Sequence, residues 1–189
     1  LRLFFFRDFS LGESFQGRFS PPMSKAKGAS PGRRRASWPE SAREAARARG
    51  VLTNLRGNLG EVAFVHKAMT LGFVVAKPYG QINRYDFIVE GGHRFWRVQV
   101  KTCTSFKQGF YWANVRCKTN RIGRAYATSE VDFVAVYIMR EDAWYVVPLG
   151  AVAGRTTLLF RPKGSSGPDA YAHYREAWHL LGEPEGPAF

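Results

Sequence analysis

The sequence is short of cysteine, of long apolar runs and of acid through its middle, and each shortage excludes something. Its two cysteines, Cys103 and Cys117, cannot build a disulfide framework, and no four-ligand zinc spacing surrounds them. A reducing, cytoplasmic setting is expected. No apolar stretch nears the ~20 residues that cross a bilayer. Leu3-Phe4-Phe5-Phe6 is cut off by Arg7 and Asp8, too early for a secretory signal. Integral membrane proteins are therefore set aside. Acid vanishes between Glu90 and Glu130, whereas Arg94, Arg97, Lys101, Lys107, Arg116, Lys118, Arg121 and Arg124 fill the same window.

What is present is mostly positive. Lys and Arg number 28 against 15 Asp and Glu, a formal charge of +13, and the first 50 residues hold eleven basic and four acidic side chains. A one-signed block inside a folded domain makes a positive surface whose natural partner is a polyphosphate. The plainer reading is a solvated surface that keeps the protein soluble. Nucleic acid is the favoured partner. With 45% hydrophobic and 15% aromatic residues, the chain can bury a real core, and 189 residues suit one domain plus a tail.

Residues 1–50 read as a basic, disordered arm: Ser20-Pro21-Pro22, Ser30-Pro31-Gly32 and Arg33-Arg34-Arg35 are tail chemistry, followed by an exposed helical stretch from Pro39 to Arg49. Residues 51–165 form the expected domain, and 166–189 a terminal helix and tail. Periodicity predicts a helix over Leu55–Leu71 stopped by Gly72, then strands at 73–77, 85–90, 93–102, 110–115, 132–139, 144–147 and 157–160. Gly91-Gly92 is read as a two-residue hairpin turn. Asp169 is expected to cap a last helix with Tyr171, Tyr174, Trp178 and Leu181 on one face. The order points to an α/β or α+β fold around a central mixed sheet.

Glu61 falls among Val62, Phe64, Val65, Ala68 and Met69 on the apolar arc of the predicted helix. A carboxylate facing a core costs roughly several kcal/mol unless a cation or donors meet it. A metal would meet it. So would a capping box in which Glu61 reaches back to the Asn58 amide. With the turn at Gly91-Gly92, Asp86 pairs with Arg97, and Asp86, Arg97, Gln99 and Lys101 share one sheet face. Gln99 is then a diagonal neighbour of Asp86. An Asp86–Arg97 cross-strand ion pair on a solvated face is the competing explanation.

A helical Glu61, then Tyr85-Asp86, then Gln99-Val100-Lys101-Thr102, resembles the PD-(D/E)xK nuclease superfamily, in the branch with a QxK variant that includes intron-encoded homing endonucleases. The resemblance runs from about Asn54 to Phe160. It takes in Gly57-Asn58-Leu59-Gly60-Glu61, Arg97 to Thr102, Val131 to Tyr137 and Tyr145-Val146-Val147-Pro148. It implies a restriction-endonuclease-like core, a central mixed β-sheet flanked by helices. Tyr85 stands where the motif name has Pro, and Gln99 replaces the acid.

The resemblance implies a Mg²⁺-dependent endonuclease that hydrolyses DNA phosphodiester bonds, most simply double-stranded DNA. Asp86 would be the principal metal ligand, joined by the Gln99 amide oxygen, the Val100 carbonyl and Glu61, with Lys101 orienting or deprotonating the attacking water. Arg94, Arg97, Lys107, Arg116, Lys118, Arg121 and Arg124 are candidate phosphate contacts. Tyr111 and Trp112 fit core packing better than base stacking, and Cys103 fits a buried thiol better than a nucleophile. A palindromic target would need a homodimer or a higher homo-oligomer. The rival readings are a catalytically lapsed nucleic-acid-binding module on the same fold and a basic protein- or ribosome-binding module.

Overall fold

A computed structural model of the protein describes residues 39–80, 82–119, 122–161, 163–165 and 167–188, the side chains of 118, 119 and 122 excepted. Residues 1–38 of the expected basic arm, and Arg121, lie outside the described residues, and of Lys118 only the backbone is described.

The two helical stretches of the sequence are one. Helix α1 runs Glu40–Thr70, 31 residues or about 46 Å. Ala, Glu and Arg carry it forward from Pro39, and Gly50 and Gly57 in its interior are tolerated at roughly 0.5–1 kcal/mol each. It stops where expected. Gly72 takes the left-handed conformation (φ 88°), and the Gly72 and Phe73 amides donate to the Met69 and Ala68 carbonyls at 2.9 and 3.0 Å. Running through Asn58, the helix leaves no end there to cap, so the capping-box explanation of Glu61 falls. The buried stripe is Gly60, Phe64 and Ala68. Glu61 sits at its edge, and Val62 and Met69, placed on the apolar arc by the wheel, are 67% and 53% exposed.

The strands are β1 (Val74–Ala76), β2 (Phe87–Gly91), β3 (Arg94–Cys103), β4 (Phe106–Lys107), β5 (Phe110–Asn114), β6 (Arg116–Thr119), β7 (Ile122–Ala125), β8 (Phe133–Ile138), β9 (Ala143–Pro148) and β10 (Thr157–Phe160). The central sheet has the order β1-β2-β3-β8-β9, with β3 and β8 parallel and the other neighbours antiparallel. It is the expected mixed sheet. One face meets α1, where the Phe64 ring lies 5.3–5.6 Å from Phe87, Trp144 and Trp178. The other face is covered by the small sheet β10-β5-β4, which buries Tyr111, Ala113, Leu158 and Phe160 against Val134, Val136, Tyr145 and Val147. The β6-β7 ribbon completes the long β3–β8 connection.

Two expectations are corrected. The hairpin turn is Gly92-His93, both left-handed (φ 60° and 58°), and Gly91 pairs with Arg94 inside the ladder. A pair of adjacent positive φ values is what a type I′ turn needs, and histidine tolerates that conformation better than most residues. Asp86 therefore lies one step beyond the Phe87–Val98 pair, opposite Gln99, and Arg97 pairs with Ile88. The shift is an even one, so Gln99, Lys101 and Asp86 keep the common face assigned from the sequence. Second, the terminal helix is two short 3-10 turns, 172–174 and 178–181. Glu176 (φ 51°) interrupts the chain to exchange hydrogen bonds with β9: its amide donates to the Trp144 carbonyl at 2.8 Å, while its carboxylate accepts from the Trp144 amide at 2.7 Å. Docking onto a sheet edge wins over helix continuation, and Trp178 and Leu181 are still buried.

Arg97 forms its ion pair with Asp132, not Asp86. The Asp132 carboxylate accepts from the Arg97 backbone amide, Nε and Nη2 at 2.7–2.9 Å, tying the start of β3 to the entry of β8. The guanidinium holds the Asp132 carboxyl below the usual aspartate range. A depressed pKa gives stability that is fully present above the unfolded value of about 3.9 and is lost as pH falls through the folded value. Asp132→Ala is expected to cost about 2 kcal/mol at pH 7 in urea titration, and the gap should narrow below about pH 4.

Candidate active site

The site lies where the C-terminal half of β3 emerges between α1 and β5. A cavity of about 590 Å³ opens there, lined by Arg56, Glu61, Asp86, Gln99, Val100, Lys101, Thr102, Trp112 and Arg116, among others. Glu61, Asp86, Gln99, Val100 and Lys101, all singled out in the sequence, thus face one space. They come from three elements: α1 supplies Glu61, the entry to β2 supplies Asp86, and β3 supplies the rest.

Gln99 is only 6% exposed, the one buried polar side chain among the described residues, and its amide nitrogen explains how. It donates to Asp86 Oδ2 and to the Val100 carbonyl, the latter at 3.2 Å. The Val100 backbone amide adds a bond to the same Asp86 oxygen at 2.8 Å. Two oxygens of different origin, one carboxylate and one carbonyl, therefore converge on a single point held by the positive end of an amide dipole.

The electrostatics are those of charge taken out of water. Burial pushes the Asp86 carboxyl up, against the opposing pull of the Val100 amide and the Lys101 ammonium. Burial pushes the Lys101 ammonium down, only partly offset by Asp86 and Glu61. The Lys101 Nζ lies 5.6 Å from the Tyr126 ring. Opposed shifts on neighbouring groups in a cleft make this pocket the candidate site.

Glu61 finds a cation, and it is Lys77, at 2.7 Å. Nothing in the sequence marks Lys77 as a site neighbour, because it enters from the loop after the edge strand β1. Arg56 was also missed; it lines the cavity from α1 with Thr53, Gly57 and Glu61, but it lies roughly 140° round the helix from Glu61 and so gave no same-face signal inside the predicted helix. Trp112 is 36% exposed and lines the cavity, whereas Tyr111 is buried in the core. Cys103 is a buried thiol, 3.2 Å from the Trp112 carbonyl, and its pKa is pushed up to about 11, far from that of a nucleophile.

The basic residues divide. Arg116 lines the cavity, and Lys107 lines a smaller hollow that shares Ser105, Trp112 and Asn114 with it. Arg97 is committed to Asp132 and the Thr128 and Ser129 carbonyls. Arg124 closes on Glu130, whose carboxyl it draws down to about 2. Arg94 stacks on Trp96, 4.6 Å away, at the opposite end of β3. Among the described residues no three His, Cys, Asp or Glu side chains cluster as a metal group; the oxygens that converge here are one from the Asp86 carboxylate and the Val100 carbonyl, with Glu61 lining the same cavity. No described helix is long and apolar enough to cross a membrane.

No curated protein matches the sequence. The structure is similar to that of a bacterial homing endonuclease, I-Ssp6803I, with a TM-score of 0.56 and 24% identity over 68% of this chain and 90% of that one, a likeness of fold. The model of the PD-(D/E)XK endonuclease family matches residues 51–181, well over half the chain. The protein therefore belongs to the PD-(D/E)XK endonuclease family.

Proposed function

We propose that the protein is a Mg²⁺-dependent endonuclease that hydrolyses phosphodiester bonds of double-stranded DNA. One observation carries the reading: Asp86 Oδ2 and the Val100 carbonyl share a single buried donor, so both oxygens already aim at one point. Hard oxygen donors of this kind suit Mg²⁺. Asp86, the Val100 carbonyl and Glu61 would hold the ion, and Gln99 would join them by turning its amide to present Oε1. When bound, such an ion supplies Lewis-acid stabilisation of charge on the phosphate and the leaving oxygen.

The protein's own groups do the rest. Lys101, held beside Asp86 in a partly desolvated pocket, takes the proton of the attacking water or orients it. Arg56 and Arg116 on the cavity wall, and Lys107 beyond, offer phosphate contacts, and Trp112 presents an aromatic face to an unstacked base. The expected test outcome is nicking of supercoiled plasmid with Mg²⁺, abolished by Asp86→Ala with DNA binding retained. Binding without cleavage in either Mg²⁺ or Mn²⁺ would overturn the reading.

Because burial lowers the Lys101 pKa, its free-base fraction rises and levels off at lower pH than for an ordinary lysine. The single-turnover rate should therefore climb with pH and flatten below the usual lysine range. Lys101→Arg, which keeps the charge but cannot give up its proton, should lose that limb along with most of the activity.

A second reading, a nucleic-acid binder without catalysis, is favoured by one feature. Glu61 closes on Lys77 and Gln99 on Asp86, so both groups already have partners within the fold. Calorimetric titration with Ca²⁺ separates the two: heat that Asp86→Ala removes supports the nuclease, and none supports the binder.

A further inference from the structure

Helix α1 carries two apolar stripes, and the fold uses one. Gly60, Phe64 and Ala68 pack on the sheet. About half a turn round the helix, Ala45, Ala48, Leu52, Leu55, Leu59, Val62, His66 and Met69 follow one another at alternating spacings of three and four, the a and d positions of a heptad. Leu52, Leu55 and Leu59 are 50–51% exposed, and Val62 and Met69 are 67% and 53%. Nothing before Gly60 on this helix is buried. A long helix interrupted by Gly50 and Gly57, with so little packing over its first five turns, gains little from propensity alone.

We propose that this seam pairs with the same seam of a second copy of the chain, parallel and in register. Charge selects the partner and its direction. With Leu52 at a, Glu44 falls at g and Arg49 at the following e, so a parallel pair sets each Glu44 against the partner's Arg49. An antiparallel pair centred on Leu52 would instead oppose the e-position arginines Arg49 and Arg56. The seam also faces away from the cavity, whose helical wall is Thr53, Arg56, Gly57 and Glu61. On the nuclease reading, such a pair carries two cavities related by a two-fold axis, the symmetry of a palindromic duplex. The pairing itself stands apart from that reading, and its test needs neither DNA nor metal.

The test uses the full chain in sedimentation equilibrium across micromolar concentrations. Wild type should weigh about twice 21.3 kDa. Leu55→Glu/Leu59→Glu, at positions outside the monomer core, should raise the dissociation constant about a hundredfold or more. Glu44→Arg should weaken the pair, and Glu44→Arg/Arg49→Glu should restore it. Under mild oxidation, Leu55→Cys should give a covalent dimer and Asn54→Cys, exposed but off the seam, none; the buried Cys103 and Cys117 leave the readout clean. A monomeric wild type, as would follow if another protein or the chain's own N-terminal segment covers the seam, overturns the proposal. So does an assembly unchanged in Leu55→Glu/Leu59→Glu, or one that Leu55→Cys does not cross-link.

Discussion

Asp86→Asn is expected to reduce DNA cleavage at least about 100-fold, the scale on which removing one charge-stabilising group from a hydrolytic site acts, and to make the protein more stable. The two effects have one cause. Burial raises the Asp86 pKa above its unfolded value. A raised carboxyl contributes stability that is present below the unfolded pKa and lost as pH rises through the folded one, so at neutral pH the ionised group is a net cost. An amide of the same shape removes that cost while still accepting from the Val100 amide and Gln99. A gain of about 1 kcal/mol, or 2–4 °C in Tm for a domain of this size, is expected at pH 7. The gain should shrink as the pH is lowered and wild-type Asp86 becomes neutral. Thermal melts and plasmid nicking on the same preparation test it; a variant that is both inactive and less stable would show Asp86 to be a structural residue.

The second large effect is at Gly60, where α1 touches β3. A Cβ added there would sit 1.8 Å from Thr102 Oγ1 and 3.1 Å from Thr102 Cβ. The hydroxyl occupies the space of the missing side chain and is the one buried side-chain polar atom left without a partner among the described residues. Alanine is the better helix former by roughly 0.5–1 kcal/mol, so an uncrowded site would gain from Gly60→Ala. Overpacking reverses the sign. A loss of about 1–3 kcal/mol is expected, with a fall in cleavage rate, because lifting α1 carries its neighbour Glu61 away from Asp86. Thr102→Ala should recover most of both losses in the double variant, a non-additivity that urea titration and nicking rates report. Equal losses with and without Thr102→Ala would mean that the contact does not set the helix position.

Much of the fold was legible because its signals are local. The apolar runs at 87–91, 94–103, 133–138 and 143–148 lie close to the strands read from the sequence, and Gly72 marked the end of α1. The turn misled because Gly91-Gly92 is the stronger glycine signal, while the structure recruits His93 into the left-handed region. The common face of Asp86, Gln99 and Lys101 survived that error because alternation along a strand depends only on parity. The short β6-β7 ribbon was invisible: a basic, glycine-containing arm has neither the length nor the alternation of a strand in a core. Nor could local pattern show Lys77 reaching Glu61, or Asp132 claiming Arg97, since both pairings are made by topology. The heptad seam was in the sequence, but a wheel begun at Leu55 and judged on one arc hides it.

Asp86, Gln99 and the Val100 carbonyl are expected to close on one divalent ion, and the most direct measurement is an anomalous difference map from crystals soaked in Mn²⁺. The predicted result is a single strong peak between Asp86 Oδ2 and the Val100 carbonyl oxygen, with the Gln99 amide turned to present Oε1, and no such peak in Asp86→Ala crystals. A map with no peak there, or with Mn²⁺ only elsewhere on the protein and the Gln99 nitrogen still seated between those two oxygens, would contradict it.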